Sequence, residues 1–76
     1  MVGRVASRVS HVQAIVDEVL PHTGLAFLTD QDQMSWAITR STPGAGLDRL
    51  SPGQRVDLTV DHHDDFSVAS GYAPLD

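Results

Sequence analysis

The side chains best suited to chemistry stand in one run, Asp61, His62, His63, Asp64 and Asp65, where two imidazoles are bracketed by three carboxylates. Such donors suit zinc, nickel or another divalent cation. On an extended chain, however, neighbouring side chains point to opposite faces, so the two histidines are badly placed to share one ion. The pattern favours a solvated hairpin turn, and neither a metal nor any other cofactor is expected. Serine, histidine and aspartate are all present, yet they come with no nucleophile elbow and no cysteine. The glycine-rich "TPGAGLDRLSPG" lacks the lysine of a phosphate-binding loop. The chain is therefore not expected to be an enzyme.

A second set is aromatic and cationic. Phe27 and Trp36 offer flat apolar faces, and Arg4, Arg8 and Arg40 could meet phosphate or an acidic partner. Overall charge opposes the phosphate reading. All five basic side chains are arginine, and from Asp17 onward ten carboxylates outnumber three arginines. Nucleic-acid binders gain affinity by releasing counterions along a basic stripe, which the body of this chain lacks.

The elements that must position these residues belong to one small domain. A chain of 76 residues buries only about 60% of the surface that its unfolded form exposes. With no cysteine, its stability has to come from packing and a hydrogen-bond ladder. No apolar run approaches the roughly 20 residues of a membrane helix, so no membrane partner is expected and a reducing, cytoplasmic setting fits. Residues 1–10 read as a flexible, arginine-bearing lead-in, and 11–76 as the domain. Within it "HVQAIVDEV", "LAFLT" and "MSWAIT" read as a three-stranded meander with turns at "LPHTG" and "DQDQ". After the irregular connection "RSTPGAGLDRLSPGQ", "RVDLTVD" alternates Val56, Leu58 and Val60 inward against Asp57 and Thr59 outward. "FSVASGYAPL" is the last strand. A helical period competes only over residues 9 to 20, where valine enrichment favours strand. The expected architecture is all-β: a small five-stranded antiparallel Greek-key barrel of OB type.

From Ala14 onward the chain resembles the bacterial cold-shock domain family. "AIVDEVLPHTGLAFLTD" lies over that family's opening strand, turn and glycine-phenylalanine strand, "LSPGQRVDLTV" over its leucine, glycine and alternating-strand signature, and "FSVASGYAPL" over its final strand. The resemblance implies an OB-type barrel that stacks unpaired bases of DNA or RNA on outward aromatics of the second and third strands. Where the family has lysine-glycine-phenylalanine-glycine-phenylalanine, this chain has Thr23, Gly24, Leu25, Ala26 and Phe27. Where it has phenylalanine, histidine and phenylalanine, Trp36, Ile38 and Thr39 stand, and Glu18 takes the place of the first-strand tryptophan. The implied surface is thus an outward patch of Leu25, Phe27, Trp36 and Ile38, aided by Arg4, Arg8 and Arg40. A shift of one residue would instead send those four inward and leave Ala26, Leu28, Ser35 and Ala37 outside. Two functions follow: a weak, cold-shock-like binder of single-stranded nucleic acid or, as the alternative, an OB-type protein-interaction or self-association module.

Overall fold

A computed structural model describes residues 8–75. Five strands form where the sequence places them: β1 (Arg8–Leu20), β2 (Leu25–Asp30), β3 (Ser35–Thr39), β4 (Arg55–His62) and β5 (Ser67–Pro74). All pairings are antiparallel, in the order β3-β2-β1-β4-β5. The sheet curls strongly into a half-barrel, an all-β fold consistent with the OB type. β1 begins at Arg8, so residues 8 to 10 are part of the sheet, whereas residues 1–7, Arg4 among them, lie outside the described residues.

β1 is long because it serves two neighbours. Its first part pairs with β4, from Arg8↔His62 to Ile15↔Arg55, and its second with β2, from Ala14↔Asp30 to Leu20↔Leu25. Two ladders plus a run of β-branched side chains outweigh the competing helical period, since valine and isoleucine suit a pleated surface. A bulge between Val16 and Glu18 interrupts the alternation at Asp17 and bends the strand, as curling requires.

The inner face holds the core: Ala14, Val16, Ala26, Leu28, Ile38, Val56, Leu58, Val60, Ala69 and Tyr72, joined by Leu47 and Leu50 from the long connection. Val56, Leu58 and Val60 all point inward, as their alternation predicts. Burying a side chain of this size contributes about 1.5–3 kcal/mol. The connection is irregular apart from one 3₁₀ turn, Leu47–Arg49, and it is pinned to β5. Tyr72 donates its N–H to the Pro43 carbonyl at 3.1 Å, and its hydroxyl accepts the Gly46 N–H at 2.8 Å. Its ring lies over Gly44, where a Cβ would come within 2.4 Å of a ring carbon, so that position has no room for a side chain. No helix of the described residues is long and apolar enough to cross a membrane.

Candidate binding surface

The β2–β3 hairpin decides which side chains reach the surface, and Asp30 organises it. Asp30 Oδ1 accepts the N–H groups of Asp32 at 2.8 Å and Met34 at 3.0 Å, and Oδ2 accepts the indole N–H of Trp36 at 2.8 Å. Its backbone closes the turn as well: the Gln33 N–H donates to the Asp30 carbonyl and the Asp30 N–H to that of Met34. Gln33 adopts the left-handed conformation, φ 67°. This is a three-residue hairpin loop, a first turn followed by one left-handed residue. The Trp36 indole holds the Asp30 carboxyl below the usual carboxylate range; burial opposes this, and the N–H groups of Met34 and Asp32 reinforce it.

A three-residue loop pairs even-numbered residues with even ones: Leu28 with Trp36, Ala26 with Ile38. Phe27 is paired with Ala37 and Leu25 with Thr39 on the other face. The expected four-residue outward patch is therefore corrected, for the hairpin divides it. Ile38 is fully buried in the core, and Trp36 lies on the inner face, half-buried and tied to Asp30. Leu25 and Phe27 stay on the outer face. The one-residue shift does not describe the hairpin either, since Ala26 and Leu28 are buried while Ser35 and Ala37 are exposed.

On the outer face Phe27, 38% exposed, stands across from Glu18 of β1, while Leu25 faces Leu20 and Thr29 faces Ile15, itself 40% exposed. The Thr29 hydroxyl donates to the Asp17 carboxylate at 2.5 Å. The surface is thus a small apolar patch with one ring, bordered by two carboxylates. Glu18 stands beside the ring.

Neither Arg8 nor Arg40 joins this patch, whereas Arg55 stands across from Ile15 at its edge. Arg40 donates from Nη2 to the Pro21 carbonyl at 3.0 Å, and its guanidinium covers Gly24, which has φ 79°. That side chain braces the β1–β2 turn. Arg8 lies far along β1, opposite His62. The two adjacent histidines part, as an extended chain requires. His62 bonds to the hydroxyls of Ser10 at 2.7 Å and Ser67 at 2.9 Å, while His63 stacks on Phe66 with ring centroids 4.6 Å apart.

Asp30 is the structural residue that the pattern of residue types did not single out. Its one signal was an aspartate at a strand end, shortly before the only tryptophan, whose indole N–H needs an acceptor when covered. No family model, curated protein or solved structure matches the chain. The cold-shock resemblance rests on the quoted residues alone.

Proposed function

We propose that the protein is an OB-type interaction module that binds a protein partner through the outer face of β1 and β2. The observation that carries this is the separation of Phe27 and Trp36 onto opposite faces, which leaves one ring beside Asp17 and Glu18 in place of a two-ring stacking platform. Charge supports it: the described residues hold four arginines against nine carboxylates, and Arg40 is engaged with the chain's own backbone. A partner segment with apolar side chains for Leu25, Phe27 and Ile15, and a lysine or arginine for Asp17 and Glu18, complements the patch in shape and sign. In this reading the module works in the cytoplasm, for which the absence of cysteine is the support.

The test is selection from a random peptide library on the wild-type protein with counter-selection on Phe27→Asp. Enrichment of peptides combining apolar and basic residues is expected, and Phe27→Ala should weaken them by about tenfold, the effect of losing one good contact. The competing outcome comes from amide-shift titrations with a short oligothymidine and a short RNA at low salt. Saturable shifts at Phe27, Leu25 and Glu18 would favour single-stranded nucleic acid instead.

A further inference from the structure

No hydrogen-bonded ladder joins β3 to β5, the two ends of the curled sheet. Between them lies a groove of ≈ 410 Å³ lined by residues 34–37 on one side and 67–69 on the other. Antiparallel ladders alternate bonded and non-bonded pairs, so the direction of every backbone group along both edges follows from a few marked bonds. In the β2–β3 hairpin, Asp30 N–H to Met34 carbonyl and Arg40 N–H to Gly24 carbonyl mark bonded pairs. Leu28–Trp36 and Ala26–Ile38 are then bonded as well, and the N–H and C=O groups of Ser35, Ala37 and Thr39 turn away from β2. Thr39 is served locally by Thr42, whose hydroxyl accepts the Thr39 N–H and whose N–H donates to the Thr39 carbonyl. Ser35 and Ala37 face the groove.

The opposite wall repeats the pattern. The bond from the His63 N–H to the Phe66 carbonyl marks a bonded pair, so Asp61–Val68 is bonded and the backbone groups of Ser67 and Ala69 turn away from β4. Farther along β5, the N–H of Tyr72 also points away from β4 and is taken by the Pro43 carbonyl. Two strand edges therefore line one groove, each presenting two donors and two acceptors. Along Ser35–Thr39 the edge has no proline, charge or bulge of the kind that blunts exposed strands.

We propose that this groove receives an extended segment of a partner protein, added as a strand by main-chain hydrogen bonds. Its inward-facing alternate side chains are apolar, to meet Trp36 and Met34, and a basic residue follows where Asp32, Asp64 and Asp65 stand in two turns that hold no arginine or lysine. Trp36 is fixed by Asp30, so the wall is formed before the segment arrives. The site is independent of the Phe27 patch, which lies on the outer face.

The test begins with amide hydrogen exchange of the free protein: Ser35, Ala37, Ser67 and Ala69 should exchange freely, and Trp36, Ile38 and Val68 slowly. The probe is the peptide Lys-Val-Thr-Val-Thr-Val-Lys, titrated into labelled protein. Its binding should slow exchange at the four groove amides by about tenfold or more and leave the amides of Leu25 and Phe27 unmoved. N-methylation at alternate residues should abolish binding, and glutamate in place of the flanking lysines should weaken it. Ala37→Pro removes one groove donor without touching β2, and Ala69→Pro does the same from the other wall if the first variant fails to fold; each should weaken the peptide about tenfold. The proposal fails if the four amides are already protected in the free protein, because the strands would then pair directly. It fails equally if the peptide produces no shifts or shifts only around Phe27, or if protection appears with protein concentration alone, which would make a second copy the occupant.

Discussion

The two hairpins that turn at the same end of the half-barrel, β2–β3 and β4–β5, are both acidic at the turn and are held in opposite ways. In β2–β3 the carboxylate stands at the strand end, buried, and collects two backbone N–H groups and an indole N–H. In β4–β5 the carboxylates of Asp64 and Asp65 sit at the tip, exposed, and the turn is closed by the His63–Phe66 backbone bond and ring stack. Position relative to the unpaired donors of a turn, more than residue type, determines whether an aspartate is structural. Loop length also differs. Three residues between Asp30 and Met34 pair like parity with like, while two between His63 and Phe66 pair unlike parities as far as Val60↔Ala69, beyond which a bulge restores like parity. One loop residue more or fewer thus decides which side chains share a face.

The comparison can be broken most forcefully in the core partner of the first hairpin. Ile38→Ala should cost about 2–5 kcal/mol in urea unfolding, whereas Phe27→Ala on the outer face should cost less than about 1 kcal/mol. Equal losses would mean that the two residues share a face after all. Trp36→Phe, which keeps an aromatic ring but leaves Asp30 Oδ2 without its indole donor, should lower the urea midpoint by less than Ile38→Ala does in the same measurement.

Acid should remove the contribution of the Asp30 carboxylate. Because the folded Asp30 carboxyl titrates below its ordinary value, its contribution is fully present above about pH 4 and is lost as pH falls through the lowered folded value. Thermal melts between neutral and strongly acidic pH should show that loss in the wild type. They should show a flatter acid limb in Asp30→Asn. An Asp30→Asn curve parallel to the wild type would remove Asp30 from its organising role. The smallest effect is expected at Gln33. Gln33→Gly should raise stability by roughly 0.5–1 kcal/mol, because glycine adopts the left-handed conformation without the Cβ penalty and its greater entropy loss offsets only part of that gain.

The strands were legible because their signals are local: "RVDLTVD" alternates, "LPHTG" and the prolines of the connection punctuate, and β-branched residues crowd β1. The face assignment of β3 was not, because a left-handed loop position is normally announced by glycine or asparagine, and here it is Gln33. Without that sign "DQDQ" reads as a polar turn of unstated length, and Phe27 and Trp36 can be placed together.

The sequence by itself determined five strands, their order along the chain, an inward Val56, Leu58 and Val60, and an acidic body, since each depends on short-range periodicity or on composition. Only the tertiary structure decided that Trp36 and Ile38 turn inward, that Arg40 is occupied by the Pro21 carbonyl, and that Ser35, Ala37, Ser67 and Ala69 present their backbones to one groove. Those outcomes depend on the parity of a loop closed by Asp30 and on the curl that brings β3 towards β5. Both are set by hydrogen bonds between residues whose pairing no local pattern encodes.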